Sequence, residues 1–374
     1  MDIFYPYNEI IPTRKAHDAY IWRNCASLAA AGANVTLACG KQSLAPDRLA
    51  TYYQTPRADQ LQVKTFPILR RNLGLPWTWN YLFNFAIQRH LLRHRPDHVL
   101  FSVFKQGRFH LSRRLDGIKY IYEVHELAWF PGMAMDHSTH WKIQVERDML
   151  AQADLITTTT DALRDILCSP PYSLTNPIVV VPLAIEPPLI TPPIELTQPL
   201  HVVYIGQLYE EQGIEDLVKV IIGMPGIHLT IVGGHPQDIQ RIQAIVPDHA
   251  VERIKFTGFV EPARLPAIAA SAHVLAAPFR ACGRMPYVAH TKLNEYIAWR
   301  RPILAPDLPI VREHFPELSG LASYQADDLQ SMTLALQQLQ NPDTWQEKMT
   351  NCQATPINTW HARAERYLSI LKGL

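Results

Sequence analysis

His201-Val-Val-Tyr-Ile-Gly-Gln-Leu-Tyr-Glu-Glu-Gln-Gly213 reads as a buried strand that runs into a glycine-bounded loop and then, from Ile214, into a helix. The same unit recurs at once, since His228-Leu-Thr-Ile-Val232 ends on Gly233-Gly234. Arg253-Ile-Lys-Phe-Thr257, Ala272-His-Val-Leu-Ala276 and Pro302-Ile-Leu-Ala305 continue the alternation. Short apolar runs separated by helical stretches are the signature of a parallel sheet covered on both faces.

Upstream, Glu186 to Leu200 carries prolines at 187, 188, 192, 193 and 199, which exclude a helix interior or a central strand. It reads as an interdomain linker. Before it the alternation is already present: a helix over Ala16 to Ala31 stopped by Gly32, then strands at Asn34–Cys39, Asp97–Val103, Lys119–Val124, Ala153–Thr158 and Pro177–Val181. The expected organisation is therefore an N-terminal domain over 1–185, a linker over 186–200 and a second α/β domain over 201–356. A final helix within 357–374, around Thr359 to Leu371, is expected to pack back on the first half. Two such halves place ligands at the carboxyl ends of their strands, in the crevice between them.

The 374 residues are 47% hydrophobic and 18% charged, which excludes a disordered or coiled-coil chain. Lys plus Arg (35) balances Asp plus Glu (34), so nucleic acid is not an expected partner. The balance is uneven along the chain, with 20 basic and 15 acidic residues in the first 185. Five scattered cysteines without a CxxC pair fit a reducing cytosol better than a disulfide framework or a structural zinc site. Asp2, Pro6, Asn8, Glu9 and Pro12 break up any leader-like run, and no stretch is long and apolar enough to span a membrane. The expectation is a cytoplasmic protein whose membrane contact, if it has one, is peripheral.

The densest chemical signal is Thr291-Lys-Leu-Asn-Glu-Tyr-Ile-Ala298, which follows a loop with Gly283 and Pro286. With Thr291 as N-cap, the helix start would bring free N–H groups, a positive helix end and Lys292 to one point, a combination that suits a diphosphate. Glu295, one turn on, could accept two sugar hydroxyls. The same spacing also describes a solvated helix face, and the residues alone leave both readings open. His125, Glu126, His137 and His140 lack the HExxH arrangement of a zinc site, and His273 in an apolar strand reads as a core residue.

Taken in order, these stretches resemble the retaining GT-B glycosyltransferases, particularly glycosyltransferase family 4. Lys15-Ala-His17 with its helix, Gly32 and Val-Thr-Leu strand resembles that family's first βα unit. Glu123-Val-His-Glu126 resembles the segment with the active-site histidine, and Glu146 to Thr160 its glutamate, strand and threonine stretch. Val181-Pro182, Tyr204–Leu208 with Gly213, Ile231–Gly234, Phe256–Val260, the 291–298 helix and the Trp360 helix complete the match. The resemblance implies two Rossmann-like domains facing across a cleft. It also implies transfer of a sugar, with retained configuration, from a nucleoside diphosphate sugar to an acceptor hydroxyl, in polysaccharide or glycolipid assembly.

By the same resemblance Glu295 holds the ribose, and Lys292 with the amides of His290 and Thr291 holds the diphosphate and sugar. His125 takes a donor-sugar hydroxyl, and the backbone near Val260 meets the base. Gly206, Gln207, Gln212, Gly233, Gly258, Arg284 and Tyr287 fill out the donor side, with Lys15, His17 and Glu126 on the acceptor side. The co-substrate is the nucleotide sugar, with no metal and no further cofactor, and the acceptor is a glycan or a lipid-linked glycan. A basic, aromatic tract over 70–95, with Arg70, Arg71, Trp77, Trp79, Tyr81, Arg89, Arg93 and Arg95, suits peripheral contact at the inner membrane face, and equally a packed helix with solvated arginines.

Three positions differ from the family pattern. Gln207 and Gln212 stand where the family places an arginine and a lysine, and Tyr287 stands eight residues before Glu295, where an acid is frequent. Lys292, Arg280 and Arg284 are candidates to supply the missing charge. The two glutamines favour an alternative, a catalytically weak relative acting as scaffold or as partner subunit of another transferase. A nicotinamide enzyme is set aside, because neither half opens with GxGxxG and a ribose-binding acid.

Overall fold

A computed structural model describes residues 1–12, 16–40, 45–53, 55–68, 81–186, 194–315 and 320–374. Lys15, residues 70–80 of the basic aromatic tract and the prolines at 187, 188, 192 and 193 therefore lie outside the described residues. The chain divides into two compact units, one of Met1–Pro182 with Thr359–Leu374 and the other of Leu183–Asn358.

The first unit runs β1 (Asp2–Pro6), α1 (Ala16–Ala30), β2 (Asn34–Cys39), α2 (Pro46–Tyr53), β3 (Leu61–Thr65), α3 (Tyr81–His94), β4 (His98–Phe101), α4 (Phe104–Leu111), β5 (Lys119–Val124), α5 (His137–Leu150), β6 (Leu155–Thr158), α6 (Asp161–Cys168) and β7 (Ile178–Val180). Its strands pair in parallel in the order β3-β2-β1-β4-β5-β6-β7. The second unit runs β8 (Leu200–Ile205), α7 (Ile214–Ile222), β9 (Ile227–Val232), α8 (Pro236–Gln243), β10 (Ile254–Gly258), α9 (Leu265–Ala270), β11 (Val274–Ala276), α10 (Thr291–Ala298), β12 (Ile303–Pro306), α11 (Pro309–His314), β13 (Leu321–Tyr324), α12 (Leu329–Leu339) and α13 (Pro342–Ala354). Its order is β10-β9-β8-β11-β12-β13, again parallel. Both sheets are thus doubly wound, and both are α/β layers of the Rossmann-like kind.

Alternation along the strands explains why each reads as continuously apolar. In β8, Val202 and Tyr204 pack into one core with Leu229, Ile231, Val274 and Trp345, whereas Val203 and Ile205 face a second core with Val232, Leu275, Tyr296 and Ile303. Both faces are covered, so no polar face is needed. His273 lies 5% exposed in this sheet, its Nδ1 accepting the His201 N–H at 2.9 Å while its carbonyl accepts from Trp345 Nε1 at 2.9 Å.

The last helix, α14 (Trp360–Lys372), belongs to the first unit. Thr359 caps its start through Ala362 N–H at 3.2 Å. Ala364, Tyr367, Leu368 and Leu371 pack with Ile21, Cys25, Leu28 and Ala29 of α1. Several observed elements differ from the sequence reading. Leu200 opens β8 and is fully buried rather than closing the linker. Strands β1, β3 and β13 were not expected: Asp2 and Pro6 bracket the first, and the second is only half-buried.

One turn fixes the entry to α7. Gly213 has φ +67°, and a Cβ there would run into the carbonyl oxygen of Pro278. Gly213→Ala is therefore expected to destabilise the protein by at least about 2 kcal/mol in urea unfolding. A loss under about 0.5 kcal/mol would show that this turn moves freely away from Pro278.

Candidate active site

In a doubly wound sheet the loops diverge where strand order reverses, and the crevice left there takes ligands. In the second unit that point lies beyond the carboxyl ends of β8 and β11. The loop after β8 is Gly206–Gly213, the segment after β11 brings Phe279, and α10 then returns its first turn to the same place.

Glycines shape this rim. The Gly206 N–H donates to Val232 O at 2.9 Å, and Gly233 N–H donates to Gly258 O at 2.8 Å, so the ends of β8, β9 and β10 are tied in sequence. A side chain at Gly233 (φ +103°) would strike the Gly206 carbonyl. At Gly206 (φ +154°) a Cβ would sit 3.0 Å from both Cε and Nζ of Lys292. The loop can follow this path only without a side chain, and the space beside it holds the lysine instead.

Lys292 is partly buried on the first turn of α10. Its Nζ lies 3.8 Å from the centre of the Tyr204 ring and 5.3 Å from that of Phe279, and donates to Gln212 Oε1 at 2.9 Å. Burial pulls the amine's pKa well below the usual lysine value, against an opposing pull from Glu295. The Tyr204 hydroxyl donates to the Gln207 carbonyl. Gln207 itself is exposed, whereas Gln212 is half-buried and turned inward.

The start of α10 differs from expectation. His290, not Thr291, occupies the N-cap position, and no side chain caps the helix there. Thr291 is the first helical residue and is exposed. The His290 ring is already used: it stacks on Phe279 at 4.1 Å, and its Nε2 pairs with Met285 O at 2.8 Å. Burial lowers its pKa to about 3, so at neutral pH the ring is uncharged and carries its proton on Nε2 toward that carbonyl. The His290 side chain thus leaves the first turn of α10 without an N-cap bond, and Leu293 N–H donates to His290 O at 3.0 Å.

The remaining donor-side candidates separate. Glu295 is half-buried one turn beyond Lys292, and Val260 is half-buried against the core of the second unit. Tyr287 and Arg284 lie on the loop before α10, Arg284 exposed. Arg280 is held elsewhere, its Nε and Nη2 both 2.9 Å from Asp216 Oδ2. Its charge is compensated within the fold, which leaves Lys292 better placed to meet a phosphate.

The first unit has a corresponding point beyond β1 and β4. His17 Nε2 lies 3.2 Å from Ser102 Oγ, which accepts from Tyr5 OH at 2.9 Å. His125 follows β5, its ring 4.6 Å from that of Tyr20 and 6.0 Å from that of His17. Glu126 is exposed beside it. Beneath them is a charge pair that sequence reasoning missed. Glu123 and Arg363 are each 1% exposed and joined through Oε1 and Nη2. Arg363 also donates to Asn24 Oδ1 and Tyr20 OH, both at 2.6 Å, and to Pro182 O at 3.1 Å. Glu123 Oε2 faces His125 Nε2 at 3.7 Å, and neither atom has a hydrogen bond among the described residues. An acid inside a buried strand, as in Tyr120-Ile-Tyr-Glu-Val124, is the signal that could have revealed it.

Burial alone would raise the Glu123 pKa, but Arg363, with His125 and Tyr20, brings it down to about 2. Stability from this carboxylate is thus present above its unfolded value of about 4.3 and lost as pH falls from there through about 2. Urea unfolding of Glu123→Gln should show a flatter acid limb over that window. Arg363→Met, which strands a buried charge, is expected to cost about 3–5 kcal/mol at neutral pH. An unchanged acid limb in the first variant, or a loss under about 1 kcal/mol in the second, would contradict the pairing.

A family model described as "Glycosyl transferase 4-like domain" matches residues 17–184, and one described as "Glycosyl transferases group 1" matches residues 199–341. No curated protein is a significant match by sequence. Among solved structures, sucrose-phosphate synthase (tll1590) from Thermosynechococcus elongatus is 17% identical with TM-score 0.75, over 100% of this chain and 98% of that one. Anabaena Alr3699/HepE, in complex with UDP-glucose, is 12% identical with TM-score 0.71, over 100% of both chains. WaaG, a glycosyltransferase involved in lipopolysaccharide biosynthesis, is 12% identical with TM-score 0.66, over 100% of both. With a glycosyltransferase model over each half and this shared architecture, the chain belongs to the GT-B glycosyltransferases and resembles glycosyltransferase family 4.

Proposed function

We propose that this glycosyltransferase is a retaining enzyme that moves a sugar from a nucleoside diphosphate sugar to an acceptor hydroxyl, in polysaccharide or glycolipid assembly. The observation that carries the reading is the Lys292 amine, 2.9 Å from Gln212 Oε1 and packed against Gly206 at the uncapped start of α10. Breaking the bond between the anomeric carbon and phosphate leaves growing negative charge on the diphosphate, and stabilising that charge is the main demand on the site. A diphosphate arriving beside Lys292 favours its charged form, against the burial that disfavours it. The helix start adds N–H donors to the same oxygens. The HepE structure with UDP-glucose supports the donor class, and WaaG supports the polysaccharide setting. In this reading Glu295 accepts the ribose hydroxyls and His125 a hydroxyl of the transferred sugar.

Calorimetric titration with UDP, GDP and ADP, together with a donor-hydrolysis panel, tests the proposal. Glu295→Ala is expected to weaken nucleoside diphosphate binding by about 1.5–3 kcal/mol. His125→Ala should depress transfer while leaving that affinity within about threefold, less than one hydrogen bond to a charged group. A folded wild type that binds none of the three and hydrolyses no donor would bring the scaffold or partner-subunit reading forward.

The reading includes peripheral contact with an anionic membrane, where a lipid-linked acceptor would reside. On α3, Leu82 (50%), Phe85 (56%) and Leu92 (51%) are exposed beside the likewise exposed Arg89 and Arg93. No acidic residue occurs from 60 to 96. Apolar side chains among unopposed arginines suit an interfacial helix. Leu82→Ser with Phe85→Ser should reduce co-sedimentation with phosphatidylglycerol vesicles severalfold, and wild-type binding that ignores both the substitutions and the salt concentration would refute this part.

A further inference from the structure

Both positions at which the resemblance calls for a diphosphate cation carry glutamine, and the side chain of Gln212 is spoken for. Resting on the donor site proposed above, we infer that Gln212 is a positioning residue: its amide oxygen aims the Lys292 amine into the Gly206 loop, so that a lysine from α10 supplies the charge position 212 lacks.

The geometry that supports this is a box around one amine. Gln212 ends the short 3-10 turn Glu210–Gln212, and the next residue is Gly213, whose backbone presses on the Pro278 carbonyl. The amide is therefore presented from a fixed point. Its Oε1 accepts from Lys292 Nζ at 2.9 Å and lies 3.5 Å from Tyr204 OH. The Tyr204 ring forms one wall, 3.8 Å from Nζ, and Gly206 forms another, with room for no side chain. An ammonium has three N–H donors. One is directed to Gln212, and two remain for phosphate oxygens. A carbonyl oxygen suits this task because it accepts without adding charge of its own. A lysine at 212 would remove the acceptor and set a second cation against the first. The glutamine and the lysine thus work as a pair, which explains how the site dispenses with the usual cation at 212.

The full-length protein is titrated with UDP, GDP and ADP, and the tightest of the three serves as probe. Gln212→Met, similar in length but lacking the acceptor, is expected to weaken binding about tenfold, the size of one charge-assisted hydrogen bond. Lys292→Met should weaken it at least as much. The decisive variant is the double mutant, which should bind no more weakly than Lys292→Met alone, because Gln212 then has no amine to aim. Gln212→Lys should bind no tighter than wild type. Circular dichroism and melting curves confirm that each variant is folded. Wild-type affinity in Gln212→Met, a full further loss in the double mutant, or tenfold tightening in Gln212→Lys would each overturn the inference while leaving the donor site standing. A folded wild type that binds none of the nucleotides removes the donor site and the inference together.

Discussion

A parallel strand covered by helices on both faces has one place to put polar chemistry, its carboxyl end, and both sheets of this chain are governed by that constraint. Each sheet reverses its strand order beside its first strand, so the loops after β1 and β4, and after β8 and β11, turn away from each other. His17 and Ser102 meet at the first point, and Gly206, Phe279 and Lys292 at the second. Lys292 and the groups that touch it come from this rim, from the end of β8 or from the helix that returns to it. The strands themselves contribute packing and the aromatic floor of Tyr204.

Charge inside the protein is handled by two different devices. Glu123 and Arg363 are removed from water together, and the arginine's other donors go to Asn24, Tyr20 and Pro182. That pair holds the returning helix to the sheet and leaves one carboxylate oxygen facing His125. Lys292, by contrast, is set against an amide and two aromatic faces, with Glu295 one turn along the same helix. The first arrangement is neutral as built, whereas in the second burial works against the charged form of the amine.

The alternation of apolar runs and helices made the two α/β units legible, because strands buried on both faces announce themselves as Val-Val-Tyr-Ile or Leu-Ile-Thr-Thr. Elements whose signal is mixed did not stand out: β3 has no fully buried residue, and β1 is bracketed by Asp2 and Pro6. The site was partly legible. Lys292 could be singled out by its place at a helix start, yet the meaning of Gln212 depends on a contact between residues eighty positions apart. Thr291 carried the composition of a cap, whereas the boundary is set one residue earlier by the stacking and hydrogen bond that immobilise His290. Glu123 and Arg363 are separated by most of the chain, and only the fold shows that each answers the other's burial.

The return of α14 gives the chain an unusual order of assembly. Because translation proceeds from the amino terminus, residues 1–182 emerge long before residues 359–374, which complete their unit. Until then the sheet lacks the apolar face of Ala364, Tyr367 and Leu368, and Glu123 has no guanidinium to meet. The intervening unit, whose chain is continuous, can close first even though it is made second. A nascent polypeptide therefore exposes an unfinished surface until residues 359–374 have been made. That unfinished apolar surface belongs to the first unit rather than to the second.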